Sequence, residues 1–154
     1  MKSSVVPGHR LRRRFGHAWL SLTIALAFHV VDEALTGFLS VYNPIVRQAR
    51  ARIGWFPMPE FTFGMWLTGL CVLLILLLAL SPFAYRGSRA LRVAAYPYAG
   101  VMFLNGVGHL VGSMYLGRWA PGATTAPLLI VASSWLVVAA RVAYPRRQGP
   151  LAHV

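Results

Sequence analysis

The chain has 154 residues, of which 57% are hydrophobic and 12% charged, and its mean hydropathy is +0.59. This composition excludes an ordinary soluble domain, in which about a quarter of the residues are charged. The formal net charge is +12, but the basic residues lie in short clusters beside apolar segments. That arrangement favours contact with anionic lipid over binding to nucleic acid, and we therefore expect an integral membrane protein.

Four apolar segments organise the chain, and each is close to the roughly 20 residues that cross a hydrocarbon core of about 30 Å. We expect an all-α, integral membrane four-helix bundle in a single domain over residues 18–144. A basic segment at 1–17 precedes it, and a tail at 145–154 follows it. The predicted helices cover residues 18–42, 61–83, 93–116 and 124–144.

The first predicted helix follows a cluster of arginines, and Ala25-Leu26-Ala27 resembles a signal-peptide cleavage site. Cleavage there is the alternative to a retained span. Apolar residues resume after the acidic pair, as ALTGFLSV, which makes the segment longer than a usual signal core. We therefore expect it to be retained as a membrane helix.

The first connection, residues 42–60, is rich in proline, arginine and aromatic residues, which is typical of an interfacial loop or a short surface helix. Glu60 lies at the predicted start of the second helix, where the helix dipole favours an acid. We favour this role over membership of a functional site, a choice that the sequence leaves open.

Lysine and arginine are distributed unequally between the two sides of the predicted bundle. Eleven lie in the N-terminal segment, the second connection and the C-terminal end, and only four lie in the first and third connections. The positive-inside rule therefore predicts a plasma (inner) membrane protein with both termini in the cytoplasm.

The first predicted helix carries an unusual polar stripe. At about 100° per residue, His29, Asp32, Glu33, Thr36 and Ser40 fall on one face. A carboxylate near the middle of a membrane costs about 2.5 to 3.5 kcal/mol on insertion scales, so such groups usually face the interior of the protein and have partners there. We therefore expect complementary polar groups on another helix.

The third predicted helix supplies them as Asn105 and His109, four residues apart. Gly108 and Gly112 border this pair, and glycines at that spacing allow membrane helices to approach closely. We expect this face to pack inward at the same depth as the stripe on the first helix. The predicted site then consists of His29, Asp32, Glu33, Asn105 and His109.

Several kinds of chemistry fit this set of residues. His29, Glu33 and His109 match the ligands of a divalent Zn, Fe or Mn ion, with Asn105 as an additional donor. General acid and base catalysis without a metal is a second interpretation, and in either case the expected substrate is a small lipophilic molecule in the bilayer. A transporter or proton-coupled carrier, which would require an oligomer, and a structural protein whose polar cluster only fixes the helix register stay open.

HVVDE in the first helix, LNGVGHLVG in the third and RWAPGATTAPLL before the fourth resemble the HXXEE-domain membrane proteins. The resemblance extends from about residue 20 to residue 140 and implies a small polytopic fold with a shared polar cluster, but it supplies no reaction. Asp32 stands where the family pattern has glutamate. Its shorter side chain puts in doubt a role as a direct ligand, whereas Glu33 follows the pattern.

Overall fold

The computed structural model describes residues 7–143, and these form five α-helices and no strand. The helices are α1 (Pro7–Thr36), α2 (Phe38–Ile53), α3 (Phe63–Tyr85), α4 (Arg89–Leu116) and α5 (Ala126–Val142). The predicted all-α class is confirmed for this part of the chain, but five helices replace the expected four. The predicted tail at 145–154 lies outside the described residues, as do residues 1–6.

The helix expected over residues 18–42 differs at both ends. It begins earlier, at Pro7, because a helix continues through the arginine cluster, which a search for apolar segments does not detect. It ends at Thr36, because Gly37 has a φ of 77°, a left-handed conformation that glycine adopts at little cost. The following residues form α2, which continues through most of the segment expected to be an interfacial loop or a short surface helix, and the helix is the alternative that the structure has.

Helix α2 is fastened to the extended segment that leads into α3. The Asn43 side chain donates to the carbonyl of Phe61 (2.9 Å) and accepts from its N–H (3.1 Å). The Tyr42 hydroxyl donates to the carbonyl of Pro59 at 3.0 Å. Because all three hydrogen bonds join α2 to the segment over residues 59–61, α2 and the segment before α3 are held together as one unit.

Glu60 belongs to this unit and not to the polar stripe of α1. Its carboxylate lies 3.4 Å from a guanidinium nitrogen of Arg47 and 3.7 Å from one of Arg50. The N-cap of α3 is Thr62, whose hydroxyl accepts a hydrogen bond from the N–H of Met65. The N-terminus of α3 is therefore capped by threonine. The prediction that Glu60 caps this helix is wrong.

Helix α1 packs against α3 and α5, α4 packs mainly against α5, and α1 and α4 also meet directly. Trp19 is almost fully buried in this core and donates its indole N–H to the carbonyl of Leu77 on α3 at 3.0 Å. The helices approach through small buried side chains, as is usual in membrane bundles. These include Ala18 and Ala25 on α1, Ala95 and Ala99 on α4, and Ala132 and Ala139 on α5.

The close approach expected at Gly108 and Gly112 is made by a different glycine. A Cβ added at Gly106 would lie 2.9 Å from the carbonyl oxygen of Ala126, so α4 contacts α5 there. No atom lies within 4 Å of a Cβ added at Gly108 or Gly112. The predicted packing role of these two glycines is therefore wrong, and their face is open.

Within residues 7–143, three helices are long and apolar enough to cross a membrane: Gly8–Thr36, Phe63–Tyr85 and Arg89–Leu116. Helix α5 is also apolar but has only 17 residues. In the most apolar window of α3 only 11% of the residues are buried, which leaves a continuous surface of leucine, isoleucine and valine. An apolar surface of this extent is typical of contact with lipid.

Candidate metal centre

Three ionisable side chains converge where α1, α4 and the turn before α5 meet. His29 and Glu33 come from successive turns of α1, and His109 comes from α4. The exposed fractions are 0% for His29, 5% for Glu33 and 8% for His109. These three residues, which we call the His29–Glu33–His109 cluster, are therefore removed from solvent.

The distances within the cluster match those between ligands of a single ion. Glu33 Oε1 lies 3.0 Å from His109 Nε2 and 3.5 Å from His29 Nε2. One ligand atom from each residue can be chosen so that all three lie within 4.8 Å of one another. Two ligands about 2.1 Å from a tetrahedral zinc ion lie roughly 3.4 Å apart. The cluster is thus close enough to hold a metal ion.

The orientation of His109 is set by a backbone group. Its Nδ1 lies 2.5 Å from the carbonyl oxygen of Pro121. Because a carbonyl only accepts, Nδ1 must carry the proton in this hydrogen bond. The neutral imidazole then presents the lone pair of Nε2 to Glu33. Metal-binding histidines typically have this arrangement, in which the second ring nitrogen donates to a fixed oxygen.

His29 is oriented by a comparable contact. Its Nδ1 lies 2.8 Å from the Thr125 hydroxyl oxygen, and that hydroxyl lies 2.9 Å from Asp32 Oδ2. The carboxylate accepts the hydroxyl proton, which leaves the threonine oxygen to accept from Nδ1–H. The Nε2 lone pair of His29 therefore also points into the cluster.

Asp32 is near the cluster but is directed away from it. Its Oδ2 accepts hydrogen bonds from the Thr125 N–H at 3.0 Å and from the Thr125 hydroxyl. Thr125 is the residue before α5, so the carboxylate lies at the positive end of that helix dipole. The shorter acid at this position of the family pattern thus joins α1 to α5, and Asp32 does not belong to the group that could hold an ion.

The other predicted polar residues are divided between the cluster and its surroundings. The Asn105 side-chain nitrogen lies 3.1 Å from His29 Nε2, at the edge of the cluster. The Thr36 hydroxyl donates to the carbonyl of Asp32 and accepts from the N–H of Gly122. Ser40 lies beyond the break at Gly37 and donates to the carbonyl of that glycine, so it does not contact the cluster.

The turn over residues 121–125 contributes more to the site than the sequence reveals. Pro121 and Thr125 orient the two histidines. Gly122 has a φ of 79°, and a Cβ there would lie 2.8 Å from His109 and 3.0 Å from Glu33. In the sequence, the sign of this role is the pair of threonines directly before the last apolar segment, but nothing there gives their distance from α1.

A family model described as "Protein of unknown function with HXXEE motif" matches residues 19–137. The chain belongs to this family. No curated protein and no solved structure matches it. In this HXXEE protein, the histidine and the second acid of HVVDE lie in the cluster, and the first acid accepts a hydrogen bond from Thr125 at the start of α5. The motif thus contributes both to the cluster and to its support.

Proposed function

We propose that this protein is a membrane-embedded enzyme that uses a divalent metal ion, held by His29, Glu33 and His109, to act on a small lipophilic substrate. The observation that carries the proposal is the shared orientation of the two imidazoles. Each Nδ1 donates to an oxygen outside the cluster, and each Nε2 faces the same carboxylate oxygen. The Asn105 amide lies 3.1 Å from His29 Nε2 and can donate to it. The Glu33 carboxylate and His109 Nε2, however, are both acceptors and repel each other unless a positive charge lies between them.

A proton is the simplest such charge, and it would give a buried His109–Glu33 ion pair with no metal. That arrangement uses only His109, and His29 Nε2 then accepts from the Asn105 amide. A metal ion uses both Nε2 lone pairs and the carboxylate, and it offsets the cost of burying the acid. The fixed oxygens on both Nδ1 atoms favour the metal, because they hold each ring in the tautomer that a ligand requires.

The number of ligands supports catalysis over a purely structural ion. Structural zinc sites usually have four protein ligands, whereas catalytic sites have three and an open position. A metal ion in such a site supplies Lewis acidity, or a bound water with a lowered pKa. The chain's own contribution is to bury the site, orient the ligands through Thr125 and Pro121, and place Asn105 where it can donate to a substrate or bound water.

Both flanks of the cluster are accessible to a small molecule. A cleft of about 580 Å³ reaches Asn105 and His109 from the side of α2. A second cavity of about 330 Å³ reaches Glu33, and Phe38 lines both. These openings support a role in catalysis over one in helix register alone, since a structural lock has no need of access.

Metal content tests the proposal directly. The protein is purified without chelators, and its Zn, Fe and Mn are measured by inductively coupled plasma mass spectrometry. We expect close to one ion per chain, and we expect His109→Ala and His29→Ala each to abolish binding because each removes one of three ligands. His17→Ala is the matched control: His17 contacts Tyr85, far along α1 from the cluster.

Protein that retains its fold but holds no metal, and cannot be loaded with any of the three, would contradict the proposal. The acid–base and register interpretations would then be separated with His109→Leu. A stable variant with unchanged activity would support the structural role, and a stable variant without activity would support acid–base catalysis.

A further inference from the structure

The larger cavity is a cleft between α2 and the second half of α4, which we call the α2/α4 cleft. Its deep end is formed by Asn105 and His109, and its outer end by Gln48 and Arg118. Most of the residues between these ends are apolar or aromatic. The cleft therefore leads from a charged opening, along an apolar channel, to the candidate metal centre.

Two glycines keep this channel open. Gly108 and Gly112 lie one turn apart on α4 and line the cleft, and nothing is within 4 Å of a Cβ added at either position. Glycine in a helix costs about 1 kcal/mol relative to alanine. Since neither glycine has a close helix contact or a positive φ, the space above them is the feature that their lack of a side chain provides.

The outer end of the cleft carries an uncompensated positive charge. The chain has three acidic side chains, and each is engaged elsewhere. Asp32 accepts from Thr125, Glu33 lies in the cluster, and Glu60 pairs with two other arginines. Arg118 is exposed and has no ion pair within the described part of the chain. A guanidinium in that position suits a carboxylate or phosphate group on a ligand.

The dimensions of the cleft indicate how a ligand would lie. Helix α4 continues for seven residues beyond His109, to Leu116, which corresponds to roughly 10 Å at the helical rise of 1.5 Å per residue, and Arg118 follows the C-cap Gly117. A headgroup held at this end of α4 is therefore separated from His109 by several chain carbons. The part of the ligand next to His109 would be a position well along its hydrocarbon chain.

From these observations we infer that the α2/α4 cleft binds a single-chain lipid whose anionic headgroup pairs with Arg118. Its hydrocarbon chain lies over Gly108 and Gly112 and reaches Asn105 and His109. The inference rests on the proposed function for what happens at the deep end, and it names the class of substrate: an acidic, single-chain amphiphile that reacts within its chain and not at its headgroup.

Photolabelling tests this assignment. The full-length protein in a neutral detergent is irradiated with a palmitic acid analogue that carries a diazirine at the end of its chain, and the labelled residues are mapped by mass spectrometry. We expect labels around Leu104 and Asn105. An analogue with the diazirine beside the carboxylate should instead label α4 around Tyr115 and Leu116.

Three variants define what the labels mean. Gly112→Leu fills the cleft and should reduce labelling to the level of samples without irradiation. Gly69→Leu is its matched control, because Gly69 lies on α3 with equally open space around it. Arg118→Gln should weaken labelling by the acid roughly tenfold, since it removes a charge-assisted hydrogen bond. The same variant should leave labelling by the corresponding hexadecanol analogue unchanged.

Labels spread over all the lipid-facing helices, or unchanged in Gly112→Leu, would overturn the assignment. Equal labelling by acid and alcohol in the wild-type protein would also overturn it. Arg118→Gln keeps the test decisive if Gly112→Leu does not fold, because Arg118 is exposed. Metal content is measured in the same samples. Bound metal with diffuse labels contradicts only the assignment of a lipid to the α2/α4 cleft. Labels confined to the cleft in protein without metal contradict only the proposed metal-dependent function.

Discussion

The protein contains two groups in which one glutamate meets two nitrogen-bearing side chains, and they differ in every other respect. Glu33 faces His29 and His109 and is 5% exposed. Glu60 faces Arg47 and Arg50, and its side chain is 35% exposed. The first group joins α1 to α4 in the interior, and the second fastens α2 to the segment that leads into α3.

The difference shows what burial demands of a polar group. The arginines around Glu60 carry a permanent charge, so no hydrogen bond is needed to fix their protonation. Exposed ion pairs of this kind typically contribute about 0 to 1 kcal/mol to the free energy of unfolding. Around Glu33 the partners are imidazoles whose protons are directed elsewhere by Pro121 and Thr125. Burying such an arrangement has a cost unless its charges are compensated, and the proposed metal ion would provide that compensation.

The largest expected effect is on metal affinity, and it comes from comparing the same substitution made separately at each glutamate. Glu33→Gln keeps the size of the side chain but removes the anionic ligand, so we expect metal affinity to fall by at least about 100-fold, beyond the range for residues that only support ligands. Glu60→Gln should leave it unchanged. Competition with a chromogenic chelator measures both, and equal losses in the two variants would remove the distinction between the groups.

Gly122→Ala should damage the buried group and the fold together. A left-handed alanine costs about 1 to 3 kcal/mol, and its Cβ would also contact His109 at 2.8 Å and Glu33 at 3.0 Å. Gly117→Ala is the control, since Gly117 has a φ of 61° but nothing within 4 Å. We expect both variants to lose thermal stability and only Gly122→Ala to lose metal. Normal metal content in Gly122→Ala would show that the turn does not constrain the cluster.

A smaller effect is expected from the support of His29. Thr125→Val removes the hydroxyl that lies between Asp32 and Nδ1 but keeps a branched side chain. Loss of such a support typically weakens metal binding by about 10- to 100-fold. Thr124→Val serves as the control, because Thr124 accepts from Trp119 on the outside of the turn. Identical metal affinity in the two variants would mean that His29 does not need this contact.

The smallest effect concerns stability at the exposed group. Glu60→Gln should reduce the free energy of unfolding by less than about 1 kcal/mol, and added salt should reduce the difference further because it screens exposed charges. Thermal unfolding at low and high salt measures this. A loss of several kcal/mol that persists at high salt would show that the Arg47–Glu60–Arg50 group is as critical as a buried one.

Much of the candidate site was visible in the sequence because helical periodicity is local. A rotation of about 100° per residue is enough to put His29 and Glu33 on one face of α1, and to put Asn105 next to His109 on α4. The cost of polar groups in an apolar span then requires that the two faces meet. The pairing of the two faces followed from these constraints, and the structure brings the four side chains together.

Helical periodicity gave wrong predictions where the end of a helix depends on one backbone angle, or where packing depends on a contact distant in sequence. Gly37 reads as one more residue of a long helix, but its positive φ ends α1 and moves Ser40 away from the cluster. Gly108 and Gly112 have the spacing of a helix-packing motif, yet no neighbouring helix lies within 4 Å of a Cβ added at either position. Whether a small residue permits close packing or leaves a cleft depends on where the neighbouring helix lies.

The sequence by itself thus determined the all-α class of the described residues, three of the four predicted membrane helices, and the polar faces of α1 and α4, because composition and helical spacing are properties of short segments. Only the tertiary structure decided which acid faces the histidines and which joins α5. It also revealed the contribution of the turn over residues 121–125, since Thr125 lies 96 residues from His29 along the chain and only folding brings them to 2.8 Å.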